Sequence, residues 1–123
     1  MQSSILAFAC AAAVATFGVH TFIGGRYAAR PLLADTTLPK ASKWLNYFCW
    51  HIVTVLLAIM AAGLGAAAAG FVHRDAVRLV AIIAAGISVT SVAVTLKAGI
   101  HPLRFPATYL LAIVAALAAW GGA

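Results

Sequence analysis

Four histidines, His20, His51, His73 and His101, are the side chains of this sequence best equipped for chemistry. An imidazole can ligate a metal or a haem iron, or move a proton near neutral pH. His20 and His51 stand inside long apolar runs, in "FGVHTF" and "NYFCWHIVTV". A polar side chain in such a setting is costly in lipid and points to a role. Thr16 precedes His20 by four residues and Thr54 follows His51 by three, so on helices each shares a face with its histidine and could orient it. The only carboxylates are Asp35 and Asp75, and neither His-x-x-x-His nor Cys-x-x-Cys spacing occurs. The main reading is therefore that the histidines bond across helices or face headgroups, with no cofactor. A b-type haem or metal held by His20 and His51 is the alternative.

A second feature lies just beyond His20. "HTFIGGR" places Gly24 and Gly25 before Arg26, with Arg30 following. A glycine turn beside arginines can hold a phosphate. With no Walker spacing and no G-x-G-x-x-G, the candidate is a lipid headgroup and not a nucleotide. His20, Arg26, Arg30, His51, Thr54 and His101 form the candidate cluster. A small lipid-active enzyme using His20, His51 and Arg26 is a further alternative, although no G-x-S-x-G or carboxylate pair supports hydrolysis.

These residues need elements to hold them, and composition dictates which. The chain has 123 residues, 65% of them hydrophobic and 8% charged. Soluble domains carry about 25% charged residues, and a small domain cannot bury this much apolar surface in water. Four apolar runs cover about 4–23, 38–72 with an interfacial start, 77–97 and 104–121. Spanning takes about 20 apolar residues, and the unbroken Ala/Leu/Val/Ile runs lack the alternation of barrel strands. The expected fold is all-α: a single transmembrane domain forming an integral membrane four-helix bundle.

Local signals set the boundaries. Gly24-Gly25 should end the first helix, and Thr37 with Pro39 should open the second. Trp44, Tyr47 and Trp50 suit a water boundary. The first run lacks a basic residue before it, so it reads as a retained helix and not a signal peptide. On that layout His20 and His51 sit at a common depth of about 5 Å, while His73 falls on the opposite side. Cys10 and Cys49 lie about 15 Å apart in depth, too far for a disulfide.

Six basic residues occupy the first and third loops and two the second, which places those two loops in the cytoplasm and both termini outside. The net charge of +6 then serves orientation and attraction to anionic headgroups, not nucleic acid. Small residues at helical spacing, Ala62, Ala66 and Gly70 with Gly65 and Ala69, let helices approach closely. Ser88, Ser91 and Thr95 add a small polar stripe to the third helix, suited to bonding across helices.

In layout, four spans in so short a chain resemble the small membrane glutathione-transferase-like proteins and the small multidrug transporters. Neither lends a residue: the first span holds no glutamate, and the loops lack the acidic and Arg-rich catalytic pattern. The composition resembles small inner-membrane proteins of high-GC bacteria. The expected function is a non-enzymatic bacterial inner-membrane protein that binds lipid or assembles into a larger complex or homo-oligomer.

Overall fold

The computed structural model describes residues 1–123 and contains helices and no strands. An unbroken helical stretch, Gln2–Ala34, is followed by three more helices. Its parts are α1 (Gln2–Gly18), a π-helical segment (Val19–Ala29) and α2 (Arg30–Ala34). The others are α3 (Lys40–Ala68), α4 (Arg74–Lys97) and α5 (Pro106–Gly121), with one 3₁₀ turn at Pro102–Arg104.

The Gly24-Gly25 pair does not end the first helix. In water glycine frays a helix by exposing its backbone, but an apolar surround offers no competing hydrogen-bond partner, so glycine is tolerated. The helix instead widens: the Arg30 N–H donates to Gly25 O, five residues back. Its backbone amides are consumed in that ladder, so the glycine turn that could cradle a phosphate does not exist. The chain turns later, at Asp35. There the Asp35 carboxylate accepts from the Thr37 and Leu38 N–H groups at 2.6 and 2.9 Å and from the Thr37 hydroxyl at 2.8 Å. These bonds, that to Leu38 first, hold the Asp35 carboxyl below its usual range, so the turn loosens only in acid, below the ordinary carboxylate pKa.

The second and third long helices end alike. Gly70 and Gly99 take φ of +83° and +70°. Each N–H bonds three residues back, to Ala67 O and Leu96 O, while Phe71 and Ile100 bond five back, to Ala66 O and Thr95 O. This is the Schellman arrangement, which satisfies the last carbonyls and favours glycine at the left-handed position. Gly70 is thus a helix stop. α4 begins with Asp75 and closes with Lys97, both matching its dipole, and Pro106 opens α5, where a missing N–H costs nothing.

Three contacts fix the arrangement. Cys10 Sγ lies 3.4 Å from Ala61 O and donates to it, and His20 meets Trp50, so α1 and α3 run antiparallel. Ser88 donates to Thr108 O at 2.6 Å, pairing α4 antiparallel with α5. At one end Gln2 donates to Ala123 O at 3.2 Å, while Arg74 donates to Ala123 O and Gln2 Oε1 at 3.1 and 2.7 Å. Both termini and the α3–α4 turn therefore share an end, and the other two connections share the opposite one.

The interior is built from small and medium side chains. α1 buries Leu6, Ala9, Ala13 and Thr16 against α3 and α5, and α3 buries Leu57, Met60, Ala61, Leu64 and Ala67. Ala62, Ala69 and Gly70 are exposed and Ala66 is half-buried, so the small-residue stripe on α3 is not the face it turns to its neighbours. Gly65 does pack inward, where a Cβ would stand 3.3 Å from Cys10 Sγ. Both cysteines are free thiols.

Only 21 of 123 residues are buried, and large apolar side chains such as Phe8, Ile59, Ile82 and Val89 are exposed around the molecule. Patches of this extent are not sustained in water. Three helices are long and apolar enough to cross a membrane, and α5 is a shorter apolar helix of 16 residues. These helices and the exposed apolar surface are consistent with an integral membrane protein.

A candidate lipid site beneath the basic loops

His20 rides on the π-helical segment and faces α3. Its Nε2 lies 3.3 Å from Trp50 O and 3.1 Å from Thr54 Oγ1. A carbonyl can only accept, so Nε2 carries the proton. Thr54 in turn donates to Trp50 O at 3.1 Å and accepts from His20. Nδ1 is left with its lone pair. The Trp50 indole stacks on the imidazole with centroids 4.0 Å apart and planes 17° from parallel. Gly24 makes room for this: a Cβ there would stand 2.6 Å from Trp50 Cη2.

These contacts revise the partnerships read from spacing. Thr54 serves His20 on the neighbouring helix, not His51 three residues before it. Thr16 is turned to its own helix, donating to Ala12 O at 2.8 Å. His51 is exposed and meets the edge of Tyr47 at 4.5 Å; Tyr47 meets the edge of Trp44 at 5.9 Å. His101 accepts the Leu103 N–H at 3.3 Å and so caps the 3₁₀ turn. His73 caps α4, accepting from the Asp75 N–H at 3.5 Å. Arg26 and Arg30 are exposed along the continuing helix. The structure thus brings His20 and Thr54 together out of the six-residue cluster. It gathers no three His, Cys, Asp or Glu side chains in one place.

The pair has a chemical consequence. In a nucleophile–base pair the ring nitrogen accepts the hydroxyl proton. Here the nitrogen donates to the hydroxyl, whose own proton is held by a carbonyl. Thr54 is therefore not activated, and the arrangement orients His20 and Trp50 as a wall.

What that wall borders is a cleft of about 490 Å³. The π-helical segment and α3 form one side and the start of α5 the other, with Ile87 of α4 beneath. Most of the lining is apolar; the polar side chains on it are Thr16, His20, Tyr27 and Arg104, beside the Trp50 indole. The volume falls within the range of about 300–1,000 Å³ typical of small-molecule sites. A second hollow, about 260 Å³, lies at the far end beside Gln2 and Arg74. Arg104, Trp50 and Tyr27 carried no site signal in the sequence beyond charge and aromatic placement. The spacing of Gly24 opposite a tryptophan-bearing helix is the one cue to the stack.

Ser88, Ser91 and Thr95 lie away from the cleft. Ser88 and Ser91 both engage Thr108 of α5, at 2.6 and 2.7 Å, and Thr95 bonds back to Ser91 O and Val92 O.

Replacing His20 with alanine removes a stacked ring and two hydrogen bonds. It is expected to lower stability by about 1.7–2.7 kcal/mol, from a stacking contribution of about 0.5–1.5 and roughly 0.6 for each of the two bonds in lipid. His20→Phe keeps the stack and should lose about half as much. Denaturation in mixed micelles measures both, and equal losses would show that the stack contributes nothing.

Comparison with protein-family models, curated proteins and solved structures gives no match.

Proposed function

We propose that this chain is a non-enzymatic protein of the bacterial inner membrane that holds a membrane lipid in the cleft between its first, second and fourth spans. On this reading the helices form a four-helix bundle in the bilayer. The basic connections face the cytoplasm, the termini lie outside, and the occupant enters sideways from the lipid. The observation that carries the reading is the cleft itself: a mostly apolar hollow of about 490 Å³ walled by a hydrogen-bonded His20–Trp50 stack, with Arg104 on its lining. Such a site suits an amphipathic molecule, apolar along its length and polar at one end. The unactivated Thr54 hydroxyl favours holding over turnover.

Native mass spectrometry of the protein released from membranes in mild detergent tests this. Wild type should retain lipid, one molecule per chain. Leu110→Trp, which fills the cleft from α5, should lower the retained fraction about tenfold, equivalent to about 1.4 kcal/mol. Equal lipid occupancy in the two proteins would sink the proposal.

A further inference from the structure

We propose that the occupant of this cleft is an anionic phospholipid, its phosphate at Arg104 and one acyl chain against Val53, Ile87 and Leu110. This rests on the lipid-holding reading and adds the headgroup class.

Charge accounting carries the argument. Arg104 is the only charged side chain lining the cleft, and no hydrogen bond or ion pair within the protein engages its guanidinium. The chain has two carboxylates to offer. Asp35 is occupied by Thr37 and Leu38, with Lys43 donating to its carbonyl. Asp75 lies at the opposite end, paired with Arg78 at 3.2 Å. The end bearing Arg104 also carries Arg26, Arg30, Lys40, Lys43 and Lys97, against the single Asp35. The counter-ion of Arg104 must come from outside the chain. Arg104 is exposed at the cleft, and a guanidinium fork suits the paired oxygens of a phosphate.

Depth gives the orientation. The starts of α1 and the end of α5 are level, joined by the Gln2–Ala123 bond. α5 is 16 residues long, so its start lies beside about His20 of the first helical stretch, which continues to Ala34. Arg104, just before α5, therefore sits at the mouth of the cleft beside Tyr27. Thr16, Leu57 and Leu111 lie deeper. The other polar groups there do not compete for an anion. The Thr16 hydroxyl is bonded to Ala12 O, and His20 offers only the Nδ1 lone pair, which repels one. A negative head is thus directed to Arg104 and its chain inward.

Trp50 reports on the occupant. With Trp44→Phe and Trp120→Phe it is the only tryptophan left. The full-length double variant is reconstituted in vesicles of unlabelled phosphatidylcholine. Increasing fractions of phosphatidylglycerol, phosphatidylcholine or free fatty acid with brominated chains are then added. Brominated phosphatidylglycerol should quench Trp50 at about fivefold lower mole fraction than brominated phosphatidylcholine, the preference one arginine gives for an anionic lipid. Arg104→Gln should abolish that preference, and Lys97→Gln, outside the cleft, should leave it in place. Equal quenching by the two phospholipids would overturn the anionic selection and leave the lipid-holding reading intact. Preference for the free acid alone would overturn the phospholipid. Quenching by none of the three would overturn both readings.

Discussion

Ile82→Asp is expected to impair membrane insertion of α4 by about 3 kcal/mol, close to a hundredfold in the insertion equilibrium. Ile82 is 69% exposed, eight residues into a 24-residue helix, so its side chain lies about 12 Å from the helix start. In water, a charge at an exposed site is nearly neutral, within about 0.5 kcal/mol. In hydrocarbon an aspartate near the helix centre costs about 2.5–3.5 kcal/mol on insertion scales. Arg78, one turn before, is already paired with Asp75 at 3.2 Å, and no basic side chain follows on α4 until Lys97. Alkaline extraction of membranes expressing the variant, with glycosylation or protease mapping of α4, measures the effect. Wild-type insertion and stability in Ile82→Asp would refute a lipid-facing α4.

The second large effect concerns packing. Leu64 of α3 is fully buried, with Leu57 and Met60 on the same face. Leu→Ala in a soluble core costs about 2–5 kcal/mol, part transfer from water and part cavity. In a membrane the unpacked helix already sits in an apolar medium, so the transfer part disappears and lost contacts remain. Leu64→Ala should therefore lower stability by about 2 kcal/mol, at the low end of that range. Ile59→Ala, on the same helix but 62% exposed, should change it by less than about 0.5 kcal/mol. Denaturant titration of both variants in mixed micelles compares them directly. Similar losses would mean that α3 is rotated from the face described here.

The long helices are legible because unbroken apolar runs of spanning length have few other uses. What was not legible came from geometry between elements. Gly24-Gly25 reads as a stop under rules learned in water, and the helix runs through it as a widened coil to Ala34. Ala62, Ala66 and Gly70 share a spacing that permits close approach, yet spacing cannot say which face a neighbour chooses. α3 turns Ala61, Leu64 and Ala67 inward instead. His20 and Thr54 each stood out as polar residues in apolar runs. Their pairing required knowing that residue 20 of one helix lies level with residues 50–54 of another. Trp50 reads as a boundary anchor because tryptophan commonly is one; the absent Cβ of Gly24 draws it inward. Arg104 was legible as charge alone, since its place at the cleft depends on where α5 starts.

The shortness of α5 has a mechanical consequence. Sixteen residues of α5 rise about 24 Å, whereas the hydrocarbon of a bilayer is about 30 Å thick. α3, with 29 residues, rises about 44 Å and has length to spare. If α5 spans as proposed above, a bilayer would thin beside α5 and stay relaxed beside α3, at a cost of a fraction of a kcal/mol per ångström of mismatch. The thinned side is the one where the cleft opens. A thicker membrane would press on α5 and a thinner one release it, so the elastic state of the bilayer acts directly on one wall of the site.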